Sequence, residues 1–291
     1  PVIILLFILP LLTTAQEIIC STNDSIAIER ILQRHSRHEY NSTGELTLAV
    51  AEEFLGCRYV AGTLENGCNE PLYISCSKLD CTTFVELVTA ITLSIKEQEA
   101  NFSAVCNNLE KIRYREGKRG GYASRLHYTS WWIADNEERG IVHEVTTAST
   151  HRHYTLDLDF MSTHPDSYAV LKDNTSMQAK ISELEKPFRG IKVPYIPKES
   201  LNGNKEELNI KDGDIIALVT TIKGLDVSHV GFAFWKEGKL HLMHASSAKG
   251  EVIMDPTSLF DYQKGKSRQC GIRVIRIRAH RQSLGAKQKV E

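Results

Sequence analysis

The chain has 291 residues, 42% hydrophobic and 24% charged, with 35 Lys plus Arg against 36 Asp plus Glu for a net charge of -1. This is the composition of a folded globular protein of one large domain or two ordinary ones, and it excludes a low-complexity or collagen-like chain. Without a net field to draw it onto phosphate, a mainly nucleic-acid-binding role is disfavoured.

Residues 1–15 (PVIILLFILPLLTTA) form an apolar run ending in small residues, in the manner of a secretory signal. The run falls short of the ~20 residues of a membrane-spanning helix, and polar Gln16 and Glu17 follow at once. The chain therefore reads as exported, to the periplasm or cell envelope, with residues 16–291 as one domain. Cys20 as a lipid-attachment site is disfavoured by the bulky Ile19 before it. The cysteines are Cys20, Cys57, Cys68, Cys76, Cys81, Cys106 and Cys270, an odd set that leaves at least one thiol outside internal disulfides. None sits in a C-x-x-C pair, so no metal site is expected.

Residues 24–33, with Ile26, Ile28, Ile31 and Leu32, and residues 43–55, with Leu46, Val50 and Phe54 before Gly56, carry helical spacing. Residues 58–79 read as a loop. Asp80 is a good N-cap for a helix running to about residue 98, with Phe84, Val88, Ile91 and Ile95 on one face, so Cys81 falls in its first turn. Residues 101–204 are mixed and read as an insertion, with strands at 141–147 and 154–160 and a short helix at 177–184. From Asp214 the chain is strand-rich, at 215–220, 229–235, 239–245, 251–254 and 272–278. Helices first and an antiparallel sheet later make an α+β fold. The basic tail after Ala279 reads as loose.

A thiol in the first turn of a helix meets the partial positive charge of unsatisfied N–H groups, so Cys81 is expected below the ordinary cysteine pKa and reads as a nucleophile. On position alone, a structural thiol or a disulfide with Cys76 is the alternative. A thiolate attacking an amide needs a proton carrier. His229 begins a strand in which Val230, Phe232 and Phe234 share the core face, while Gly231 and Ala233 beside the histidine leave room for a substrate. Glu237-Gly238 reads as a two-residue turn, which places Gly231 opposite His244 and His229 opposite Ser246. His244 is then the same-face diagonal neighbour of His229, where it can hold the imidazole's tautomer and orientation. His241 would face Phe234 on the other side, which disfavours His241 and His244 as a metal pair.

The segments RYVAGT (58–63), LDCTTFVE (79–86), SHVGF (228–232) and MHAS (243–246) resemble, in order, the four motifs of the NlpC-type cysteine peptidases. That resemblance implies a papain-like fold and cleavage of bacterial cell-wall peptides without a cofactor. It implies Cys81 as nucleophile, His229 as general base and then acid, and His244 as the orienting third residue. It also implies Tyr59 beside the nucleophile and Asp80 at the cleft wall near the substrate's amino-terminal side. The 147 residues between Cys81 and His229, the long cysteine-containing loop before Cys81, and Thr82-Thr83 in place of the usual Ser-Gly depart from the small members. These departures resemble the N-acetylmuramoyl-L-alanine amidase-like branch, taken to cut the amide between the sugar lactyl group and L-alanine. Muropeptides with an anhydro-sugar end are the implied substrate class. A D-glutamyl–diamino acid endopeptidase and a non-catalytic wall-binding protein are the alternatives.

Residues 113–132 interleave Arg with aromatics. Such a stretch can be solvated surface, a grip on single-stranded nucleic acid, or a wall on which sugar rings stack and carboxylates meet Arg. The last reading selects Arg125, His127 and Tyr128 as substrate-binding residues.

Overall fold

The computed structural model describes residues 17–65, 67, 69–146 and 152–278; the signal-like segment, Cys68 and the tail after Ala279 lie outside the described residues. The chain opens with strand β1 (Ile18–Cys20), α1 (Thr22–His35) and α2 (Thr43–Glu52). Short strands β2 (Arg58–Tyr59), β3 (Leu72–Ile74) and β4 (Lys78–Leu79) precede α3 (Cys81–Lys96). Then come α4 (Phe102–Arg113), α5 (Thr129–Glu138), β5 (Val142–Glu144), β6 (Arg152–Asp157), α6 (Phe160–Thr163), α7 (Thr175–Glu185), β7 (Arg189–Pro197) and α8 (Lys205–Leu208). The last third is β8 (Ile215–Thr220), β9 (Val227–Lys236), β10 (Lys239–Ser246), β11 (Glu251–Met254), α9 (Leu259–Gln263) and β12 (Gln269–Ile277).

This is a mixed α+β architecture built on one sheet of order β4-β2-β11-β10-β9-β8-β12-β7-β6, with β5 added against β12. Helix starts are set locally: Ser21, Ser42, Asn101 and Asn174 each accept a backbone N–H three residues on, which satisfies donors the helix leaves orphaned. α3 is apolar nearly all round, and Phe84, Val88, Ala90 and Ile91 are fully buried between the other helices and the sheet. Phe84 packs edge-on between Phe54 and Phe232, with ring centroids 6.1 and 5.5 Å away, which joins the turn after α2, α3 and β9 in one core. A second apolar cluster, including Ile216, Leu218, Ala233, Leu242 and Leu259, fills the opposite face of the sheet.

The stretch read as an insertion at 101–204 joins this body rather than standing apart from it. α4 packs along α3, and the antiparallel pair β6 and β7, joined through α6 and α7, extends the sheet beyond β12. β7 alternates Ile191, Val193 and Tyr195, but it escapes the sequence reading because Gly190 and two prolines, Pro194 and Pro197, break into a run that otherwise reads as a strand. Pro194 is tolerated near the sheet's edge, where the demand for ladder donors is lower. Among the described residues no helix is long and apolar enough to cross a membrane.

Candidate active site

Asp80 caps α3 through a reciprocal box. Its Oδ1 accepts the Thr83 N–H at 2.8 Å and the Thr83 hydroxyl at 2.8 Å, and its own N–H donates to Thr83 Oγ1 at 2.9 Å. The threonine that stands where the motif has glycine therefore builds the cap that fixes the cysteine's turn. Cys81 is the first helical residue, half-buried, and a free thiol. Its pKa is pushed up to about 11, first by burial and then by the Asp80 carboxylate, against hydrogen bonding from Val230 and Thr82 that favours thiolate. The expected lowering is thus reversed: desolvation and an adjacent anion outweigh the helix end, and the resting site holds a thiol.

β9 carries His229 to the same place. Leu218 pairs with His229 but Val219 pairs with Val227, so Ser228 is an extra residue, a bulge that re-aims the chain just before the histidine. The β9–β10 register pairs Lys236 with Lys239 and Phe232 with Met243, as the two-residue turn requires. His229 Nε2 and His244 Nδ1 lie 2.5 Å apart, their rings edge to face. A Cβ on Gly231 would come within 2.9 Å of His244 Cβ and 2.6 Å of the Met243 carbonyl oxygen, so only glycine admits His244 here. His241 points the other way, stacked on Phe234, with Nδ1–H donating to the Asp255 carbonyl at 3.0 Å.

Burial lowers the pKa of His229 to about 3, helped by His244 and Lys266, and lowers that of His244 too, against the pull of Asp255. Both rings are therefore neutral at neutral pH. The Cys81 thiol lies at the N–H of Val230, the residue after His229, and no hydrogen bond joins it to the imidazole among the described residues. With Nε2 taken by His244, Nδ1 is the His229 nitrogen free to receive a proton. Tyr59 stands in the electrostatic field of Cys81 and Asp80, and burial is the first cause of its raised pKa.

A cavity of about 180 Å³ adjoins Asp80 and Thr82, and Glu65, Arg125, His127 and Tyr128 stand on its wall. The polar tips of the last three are engaged within the protein. Arg125 donates to Glu65 at 2.7 Å and pairs with Glu70 at 2.8 Å. His127 Nε2–H donates to the Tyr122 carbonyl at 2.8 Å, and burial holds the ring neutral. The Tyr128 hydroxyl donates to Glu185 at 2.7 Å and accepts the Met161 N–H at 2.7 Å. All three side chains line the cavity while these polar atoms bond within the protein. Behind the wall, Glu86 of α3 pairs with the buried Arg113 at 2.7 Å. Glu65, Glu70, Glu86 and Glu185, which set this wall, escaped the sequence reading because they lie far along the chain from the residues they hold. Among the described residues no cluster of three or more His, Cys, Asp or Glu is arranged to hold a metal ion.

Residues 49–272 match the family model described as N-acetylmuramoyl-L-alanine amidase-like. The fold is similar to a crystal structure titled an N-acetylmuramoyl-L-alanine amidase from Bacteroides uniformis, at 40% identity and a TM-score of 0.76, over 81% of this chain and 99% of that one. It is also similar to a structure titled a putative xylanase from Bacteroides fragilis, at 43% identity and TM-score 0.74, over 79% of this chain and 100% of that one. A Legionella pneumophila protein shares the fold at 24% identity and TM-score 0.67, over 87% of this chain and 94% of that one. Comparison with the curated proteins gives no match.

Proposed function

The chain belongs to the N-acetylmuramoyl-L-alanine amidase-like family, and from that we propose that it is a cell-wall cysteine amidase of the NlpC-type, papain-like kind, cutting the bond between the muramoyl lactyl group and L-alanine. The observation that carries the cysteine chemistry is the meeting of a capped helix start at Cys81 with a strand whose His229 is bonded to His244 at 2.5 Å.

In this reading the Cys81 thiol gives its proton to His229 Nδ1 as sulfur attacks the amide carbonyl carbon. The new carbon–sulfur bond leaves a tetrahedral oxyanion, met by the Cys81 backbone N–H at the start of α3 and by Tyr59. Collapse breaks the carbon–nitrogen bond, and the imidazolium hands its proton to the leaving L-alanine nitrogen. Water, deprotonated by the same imidazole, then hydrolyses the thioester and restores the thiol. Since both partners rest neutral, proton transfer accompanies attack instead of preceding it. The substrate is a muropeptide with an anhydro-sugar end.

Export fits this substrate. What supports a cut near the small residues at 13–15, and not before Cys20, is that Ile18 and Ile19 pair with Leu72 and Tyr73 in the β1–β3 ladder, which a lipoprotein cut would remove.

The test is mass spectrometry of a defined muropeptide mixture, with and without anhydro ends, incubated with wild type and with Cys81→Ala. Free peptide beginning with L-alanine, released by wild type alone, is expected. A new diamino-acid amino terminus would make the enzyme an endopeptidase, and cleavage by Cys81→Ala would overturn the nucleophile.

A further inference from the structure

His244 is a neutral imidazole that must present a lone pair, not a proton, to His229. Only if His244 Nδ1 accepts can His229 carry its hydrogen on Nε2 and keep Nδ1 open for the thiol. The hydrogen of His244 then belongs on Nε2. That nitrogen is buried and has no hydrogen-bond partner of ordinary length, and it faces Asp255 Oδ2 at 3.5 Å.

Asp255 is held to this task from three directions. Its N–H donates to the Leu242 carbonyl at 2.9 Å, its carbonyl accepts from His241 at 3.0 Å, and its Oδ1 accepts the Thr257 N–H at 2.9 Å. The remaining oxygen is turned to His244. His244 pairs directly with Ile253 on β11, so Asp255, two residues further, is its same-face diagonal neighbour. The step from β10 to the end of β11 repeats the diagonal step that joins His229 to His244.

We propose that Asp255 is a positioning residue of the amidase site, the fourth member of a line Cys81–His229–His244–Asp255, which fixes the tautomers of both histidines and steadies the imidazolium formed during attack. This rests on the cysteine-amidase reading above. The carboxylate offers only acceptors, so His244 keeps its hydrogen on Nε2 and both imidazoles point their protons away from the thiol. The chain of donors then runs one way, from His229 to His244 to Asp255. When His229 gains the thiol's proton, the positive charge is shared with His244 and met by the carboxylate, and the 3.5 Å contact shortens.

The discriminating variant is Asp255→Asn. Because the Thr257 N–H requires an oxygen at its position, the amide must turn its NH₂ toward His244 Nε2. His244 is then driven to the Nδ1–H tautomer and donates to His229, whose own hydrogen moves to Nδ1 and closes it to the thiol. The experiment records the imidazole ¹⁵N shifts of histidine-labelled protein near neutral pH, with kcat and KM on the cleaved muropeptide, for wild type, Asp255→Asn and Asp255→Glu. Expected are Nε2–H on both histidines in wild type, reversal to Nδ1–H in Asp255→Asn, and a loss of roughly 100-fold or more in kcat with KM within a few-fold. Asp255→Glu, still an acceptor, should keep the wild-type tautomers and recover part of kcat. Unchanged tautomers in Asp255→Asn, or a wild-type His244 already protonated on Nδ1, would overturn the proposal. The tautomer readout needs no turnover, so it stands or falls separately from the Cys81→Ala test of the amidase reading.

Discussion

Burying a histidine neutral makes a protein sensitive to acid, and His229 gives the effect a size. Its pKa falls from 6.5 to about 3 on folding. Between those values the unfolded chain binds a proton that the folded chain refuses, so stability is fully present above pH 6.5 and declines as the pH falls. At pH 5 the loss from this one group is about 2 kcal/mol, a sizeable share of the 5–15 kcal/mol typical of a domain. Other groups titrate alongside. Buried His244 and His127 add to the loss, while Glu70, Glu86 and Asp226, whose pKa values burial raises, take up protons on folding and act in the opposite sense. A difference measurement isolates His229: urea unfolding of wild type and His229→Gln at pH 7 and pH 5. Glutamine keeps an N–H for His244 Nδ1 and does not titrate. Wild type should lose about 2 kcal/mol more than the variant over that interval. Equal losses would mean that folding leaves the His229 pKa where it stands in the unfolded chain, and the burial of His229 as a neutral ring would fall with it.

The same resting state sets the reactivity of Cys81, the proposed nucleophile. With the thiol held up to about 11, alkylation of Cys81 by iodoacetamide should quicken about tenfold per pH unit from pH 7 to 10, followed by peptide mass spectrometry, and a flat profile would reveal a standing thiolate–imidazolium pair. Behind the cavity wall, Arg113→Ala strands the fully buried Glu86 carboxylate and removes the donor to the Tyr73 carbonyl, so it should cost about 3–5 kcal/mol in urea unfolding. The double variant Arg113→Met with Glu86→Leu should recover much of that loss, and a cost under about 1 kcal/mol for the single change would show that water reaches the pair.

What the sequence discloses about this site is what the chain encodes locally. Asp80 announces the start of α3 because a cap is written within four residues, and Glu237-Gly238 sets the hairpin register because a two-residue turn fixes every pair beyond it. The diagonal from His229 to His244 follows from that register alone. The bulge at Ser228 is not written there, because it depends on how β8 meets β9. Nor is the burial that raises the Cys81 pKa, since α3 becomes enclosed only when α1, α2, α4 and the sheet close around it. Arg125, His127 and Tyr128 could be placed near a cavity by their neighbours in sequence, but their partners Glu65, Tyr122 and Glu185 decide where their polar ends go. The strand ending at residue 254 was legible, and one further diagonal step along the same face would have reached Asp255.

In the proposed cysteine mechanism, a site that rests neutral must create two charges at once when it reacts, and the fold offers a separate device for each. Negative charge on sulfur and then on the carbonyl oxygen appears at the start of α3, where the Cys81 backbone N–H and the helix dipole are aimed at it. Positive charge on His229 appears on a strand whose neighbours in the sheet lead to a carboxylate. Neither device stabilises the resting thiol or imidazole, so both act on the transition state in preference to the ground state, and only such interactions raise kcat. A preformed thiolate–imidazolium pair would already use them before substrate arrives. The raised thiol and lowered imidazole pKa values are thus consistent with a strong catalyst, provided the carboxylate at the end of β11 is in line, which is why changing Asp255 should weigh on kcat and leave KM nearly untouched.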